Sequence, residues 1–198
     1  MGKVRPKAEV SPALNIEGLT KVAETEKYAI YDDEKENRAV IIVVANPGRK
    51  NETLRVFTAK RPKRKLGWKL LEYIASFASL GPLSLIPFIL ENESMMKLAC
   101  YLYRHGSRSL NSLRSYAITI KQFSRYAQKS PDELVRACLD EGGIPNPKKV
   151  REMSSLVDEF LGELEAEGRA AYSLLVKGAR LKTFFKVNGV RIALPVEY

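Results

Sequence analysis

The chain is poor in the residues that most active-site chemistry needs. Among 198 residues it has one histidine, His105, and two cysteines, Cys100 and Cys138. So few ligands, so far apart, do not make a zinc site, and the cysteine spacing is not that of a CxxC motif. Two cysteines cannot staple a disulfide scaffold either. Both are expected as reduced, buried thiols of a cytoplasmic protein. No charged-then-apolar segment with a cleavage site opens the sequence, so no secretory signal is expected. No cofactor and no metal is expected. Unbroken apolar runs are also scarce. Leu70 to Leu90 approaches the length of a membrane span, but Glu72, Gly81, Pro82 and Pro87 interrupt it. Two short buried helices are the expectation there, and no membrane partner.

What the chain has in excess is positive charge. Lysine and arginine number 33 against 23 acids, a net charge of +10. That surplus concerns partners rather than fold. It attracts polyanions, of which nucleic acid is the commonest and an anionic membrane the alternative. With 45% hydrophobic residues the chain can also bury a core, which excludes wholesale disorder.

An α+β organisation is expected. Residues 1 to about 20 carry Pro6, Pro12 and Gly18 without periodicity and read as a loose start. YAIYDD, RAVIIVVAN and TLRVFTAK then follow as three β-rich runs separated by turn compositions, a three-stranded antiparallel meander. The middle run is apolar at nearly every position, so both its faces should be covered. Lys60 to Lys69 packs six cations into ten residues without an acid. It reads as an exposed linker or phosphate-tracking arm, with Lys60, Arg61, Lys63, Arg64 and Lys65 as candidate contacts. The expected divisions are a β-rich region over 1–66, an apolar helical connector over 67–92 and a helical domain over 93–198.

Five helices are expected in that last part. Gly106 ends the first. The second, Ser109 to Lys129, has two faces at 100° per residue: Tyr116, Ile120, Phe123 and Ala127 inward, Arg114, Lys121, Arg125 and Gln128 outward, with Ile118 intruding. Such a cationic stripe suits a phosphate backbone, although charged outer faces are also the norm for amphipathic helices. Ser130-Pro131-Asp132-Glu133 forms a capping box that opens the third helix, and Gly142-Gly143 should stop it. Asn146-Pro147 opens the fourth, which is apolar on one side and acidic on the other. The fifth, Ala170 to Val187, buries Leu174, Gly178, Leu181 and Phe185.

Three features together resemble the core-binding domain of tyrosine recombinases, the phage and archaeal integrases. They are the run Ser109-x-x-Ser112-x-x-x-Tyr116-x3-Ile120-x2-Phe123, the capped and amphipathic helices after it, and the ending Lys182-x-Phe184-Phe185-x3-Gly189. The resemblance covers Glu93 to about Pro195. It implies a SAM-like helical bundle, a duplex-DNA partner, and a role in DNA recombination or integration. Carried over by position, it implies DNA contacts from Ser112, Arg114, Lys121 and Arg125 on the second helix, and from Lys177, Arg180 and Lys182 on the last.

The family's chemistry needs a tyrosine nucleophile with an arginine and histidine cluster. His105-Gly106-Ser107-Arg108 has the bare HxxR spacing, but it precedes the bundle, and no second arginine box follows. The two cations read as helix C-terminal charges. The expectation is therefore a DNA-binding protein that does not cut, with no catalytic residue. The alternatives are half of a split recombinase acting with a catalytic-domain protein or by self-association, a protein-interaction module, and a peripheral membrane protein using Lys60–Lys69.

Overall fold

The computed structural model describes residues 16–45, 52–80, 83–106 and 108–194. The fold is α+β, and the chain forms two compact units, Met1–Ile86 and Pro87–Tyr198.

The first unit is built on one antiparallel sheet in the order β1 (Thr20–Glu24), β2 (Tyr28–Asp33), β3 (Arg38–Ala45), β4 (Thr53–Lys60). The sheet has one strand more than the sequence suggested. β1 follows the stretch read as a loose start, most of which lies outside the described residues. It is mostly exposed and bulged between Lys21 and Ala23, so it shows no alternation that a pattern search would catch. The Thr25 hydroxyl accepts the Lys27 and Tyr28 amides and turns β1 into β2. At the next turn Asn37 adopts φ 51°, and Asp33 accepts both the Glu36 amide and the Arg38 guanidinium.

From Ala39 to Ala45 every β3 residue is buried, so both sheet faces are covered. On one face Ala29, Tyr31, Val40 and Ile42 cluster beneath Ile16 and Leu19. The alternate set, Ile30, Ile41 and Val43, is equally buried. Helix α1 (Lys65–Ala75) and the 3-10 turn Ser76–Ser79 pack against β2 and β3. The basic run is therefore not a linker. Lys60 closes β4 and Lys65 opens α1, with four residues between them. Gly67 is required in this turn, because a Cβ there would lie 2.6 Å from the Pro62 Cβ.

The boundary between the units falls within α2 (Leu85–Leu90). The Gly81-Pro82 break lies outside the described residues. Among the described residues no helix is long and apolar enough to cross a membrane.

The second unit is a bundle of α3 (Glu93–His105), α4 (Leu110–Tyr126), α5 (Pro131–Arg136), α6 (Pro147–Ala166) and α7 (Ala171–Val187). Its helix starts are capped from the side chains. Ser109 accepts the Ser112 amide, Ser130 and Glu133 form the reciprocal box, and Asn146 accepts the Lys148 and Lys149 amides. α5 stops well short of Gly142-Gly143. A bridge between Leu139 and Pro145 closes the intervening loop instead. Cys138 is buried, Cys100 half-buried, and neither is in a disulfide. Burial pushes the Cys138 thiol up to about 11.

The core is aromatic where three helices meet. Phe123 of α4 lies 5.4 Å from Phe160 of α6 and 6.5 Å, edge-on, from Phe185 of α7. Gly178 lets α6 and α7 close together, since a Cβ there would press on Leu161 and on Leu194 of the C-terminal segment.

Asp132 links α5 to α3. Its carboxylate accepts the Glu93 amide, the Ser94 amide and the Ser94 hydroxyl, at 3.0, 2.8 and 2.6 Å. Burial alone would raise its pKa. Those hydrogen bonds outweigh burial and hold it below the usual carboxylate range. A depressed folded pKa contributes stability above the unfolded value, near pH 4, and loses it as the pH falls through the folded value. Asp132→Ala should therefore cost about 1–2 kcal/mol at neutral pH, as other helix caps do. Urea melts of the two proteins should converge in acid. A gap that persists undiminished below the folded pKa would contradict the assignment.

Candidate nucleic-acid interface

α4 is held on several sides, by α3, α5, α6 and α7. Its buried seam is accordingly wider than a simple two-face split. Ile120 and Phe123 are fully buried and Tyr116 and Ala127 half-buried, but Leu113, Ala117, Thr119 and Ser124 are also inside. What remains outward is narrow: Arg114, Ile118, Gln122 and Arg125. Arg114 and Arg125 are exposed, and among the described residues no carboxylate lies within ion-pair distance of either. Lys121 is placed differently. It is half-buried, with its ammonium 5.6 Å above the Phe88 ring of α2. Ser112 is exposed at the first turn, but its own amide is already taken by the Ser109 cap.

α7 lies alongside α4, and two polar contacts tie their flanks. The Lys177 ammonium donates to Gln122 Oε1, and the Arg180 guanidinium donates to Thr119 Oγ1 at 3.4 Å. Gln122 is one turn before Arg125, so Arg125, Lys177 and Arg180 border one groove. Arg169, in the turn before α7, adds to it. Burial first, then the positive charges of Arg180 and Arg169, depress the Lys177 pKa. Arg169 has only a long, exposed pair with Glu167, at 3.9 Å. Arg125, Lys177 and Arg180 thus stand close together, and among the described residues no carboxylate lies within ion-pair distance of them. Arg169 was not among the sequence candidates. It lies between helices, outside the periodic faces from which the candidates were chosen, two residues before α7.

Lys182 does not join them. It sits two residues beyond Arg180, about 200° round the helix. It is also one turn after Gly178, which faces Leu161 of α6 and Leu194. The helix repeat thus sends Lys182 to the flank away from α4.

In the first unit the basic run divides. Arg61 forms a bidentate pair with Asp32, at 2.6 and 2.8 Å, and a further bond to Glu34. Its charge is paired with acids of the sheet rather than free, unlike that of its neighbours. Lys60 is exposed at the end of β4, and Lys63, Arg64 and Lys65 are exposed around the first turn of α1. That turn contains no acid and no side-chain cap. Three cations beside the positive end of a helix make a place that favours an anion.

The acidic side of α6 is exposed at Glu159, Glu163, Glu165 and Glu167, and it reaches α4 at Tyr126, whose hydroxyl donates to Glu163 at 3.3 Å. His105 closes α3, stacked 5.1 Å from Tyr101, and Arg108 lies 4.8 Å over the Tyr103 ring. Among the described residues no three His, Cys, Asp or Glu side chains converge to hold a metal ion. No family model, no curated protein and no solved structure matches this chain.

Arg61→Ala separates structural from contact cations. It should lower the melting temperature while leaving retention on a heparin column unchanged. Weaker retention by a fully folded Arg61→Ala would return Arg61 to the contact surface.

Proposed function

We propose that the helical unit binds duplex DNA through its phosphates along the α4–α7 groove, without cutting it. On this reading it is a relative of integrase core-binding domains with a role in recombination or integration. One observation carries the reading. Arg114, Arg125, Lys177 and Arg180 stand on two adjacent helices with no carboxylate in ion-pair range, although acids are plentiful on α6. Arg125, Lys177 and Arg180 flank the groove directly, and Arg114 extends the line toward the start of α4. Lys63, Arg64 and Lys65 offer a second, separate set of phosphate contacts. Lys121 and Ser112 are secondary on this reading, because one lies over a ring and the other has its amide capped.

The reading is tested by the salt dependence of binding to a fluorescent duplex. Each phosphate that no longer meets a cation should reduce the slope of log K against log salt by about 0.9. Arg125→Ala with Arg180→Ala should therefore flatten the slope by roughly 2 and weaken binding alike for all sequences. An unchanged slope and affinity in the folded double variant would refute the groove assignment.

A protein-interaction role is the second reading, and α7 supplies its observation. Tyr172 is 80% exposed and Leu175 52%, on the outward side of the same helix. Binding carried by that side would be insensitive to salt and abolished in Tyr172→Ala, with the arginine variants intact.

A further inference from the structure

The two edges of the sheet are built differently. β1 is short and bulged, and its Lys21 pairs with Glu24. Those are common ways of blunting an edge. β4 is longer and has no bulge, although Arg55 and Lys60 put charge on it. Its eight residues pair with β3 in unbroken register from Thr53↔Ala45 to Lys60↔Arg38, without a bulge or a proline. Among the described residues no strand pairs with its outer side, which leaves half of its backbone donors and acceptors unpaired within the sheet. Two of its exposed residues are apolar. Leu54 is 42% exposed and Val56 61%, and their β3 partners Val44 and Ile42 lie on the face that holds the Tyr31 cluster.

We propose that β4 pairs antiparallel with β4 of a second copy of this chain, with Val56 on the twofold axis, to form one continuous eight-stranded sheet. The occupant is chosen by what the strand sets against itself. Side chains on one face must meet side chains on the same face, so only registers that differ by two residues are allowed. With Val56 opposite Val56, Leu54 meets Thr58, Arg55 meets the Phe57 ring, and Glu52 meets Lys60. The acid–base contact and the cation–ring contact each occur twice by symmetry. Centring on Arg55 would set that guanidinium against its own copy. Centring on Phe57 would put Lys60 opposite Leu54 and leave Glu52 outside the paired length. The chain thus matches itself in one register, through Glu52, one residue before β4, against Lys60 at its end, and through Val56 at the centre. This inference concerns the first unit and does not depend on the DNA-binding reading.

Sedimentation equilibrium of the full chain tests it. The wild type should have twice the chain mass of 22.3 kDa. Val56→Arg, which places two like charges on the axis, should be a monomer with an unaltered far-ultraviolet spectrum, because Val56 is exposed. Lys60→Glu should weaken the dimer by roughly tenfold. Adding Glu52→Lys to it should restore the association, since the swap rebuilds the pair with its signs reversed. Should Val56→Arg fail to fold, the charge swap decides alone. A monomeric wild type overturns the proposal, including one that dimerises only after residues 1–15 are deleted, which would put the chain's own start on that edge. So does a dimer that ignores both the Val56 and the Lys60 changes.

Discussion

Phe123 sits where α4, α6 and α7 meet, and the orientation of α4 depends on it. Its ring is closed off by Phe160 on one side and by the edge of Phe185 on the other. Fully burying an aromatic ring is worth several kcal/mol, and the tilted and edge-on geometries add to that. No charged residue on α4 has comparable energy with which to turn the helix. The hydrophobic contact therefore decides which side chains face out, and the cationic line follows from it. The same contact seats α7 beside α4. Lys177 and Arg180, 55 and 61 positions along the chain from Gln122 and Thr119, reach them only because Phe185 and Phe123 share a core.

The rest of the bundle holds that geometry rigid from its ends. Asp132 satisfies the first amides of α3, which would otherwise lack partners. Asn188, just past the end of α7, donates to Ser94 O and Phe184 O. The start of α3 is thereby fixed to both α5 and the end of α7. The C-terminal segment then lies along the bundle, with Val190, Ile192 and Leu194 buried in alternation. A groove lined by long, flexible side chains has defined spacing only if its two helices cannot slide. These polar ties and the close packing at Gly178 prevent that.

Much of this was legible in the residues. Caps announce themselves locally, so the starts of α4, α5 and α6 could be read from Ser109, Ser130 and Asn146. The outward placing of Arg114 and Arg125 on α4 followed from a single period, while that of Lys121 did not. β3 was legible because a wholly apolar run leaves no face for water. What escaped notice has one physical character in common: it depends on partners distant in sequence. β1 is exposed and bulged, and exists as a strand only because β2 offers it an edge. Arg61 looks like its neighbours until the sheet brings Asp32 to it from 29 residues away. Lys177 and Arg180 meet Gln122 and Thr119 only through helix packing. Lys182 is the opposite case. Its departure from the groove could have been read from a helical wheel, since two residues are most of a half-turn.

The distribution of charge pairing completes the argument. In the sheet unit the strand-end cations are matched: Lys21 with Glu24, Arg38 with Asp33, Arg61 with Asp32 and Glu34. In the bundle the acids gather on α6, while burial, with Arg180 and Arg169 close by, pushes the Lys177 ammonium toward its neutral form. Like charges held this close work against the compact state. The arrangement also lacks any internal remedy, because the hydrophobic junction at Phe123 fixes the two helices side by side. An incoming anion relieves the repulsion at every cation it touches. A polymer of evenly spaced phosphates relieves it at Arg114, Arg125, Lys177 and Arg180 together. On the reading proposed above, a nucleic-acid backbone would therefore suit this groove better than a single small anion.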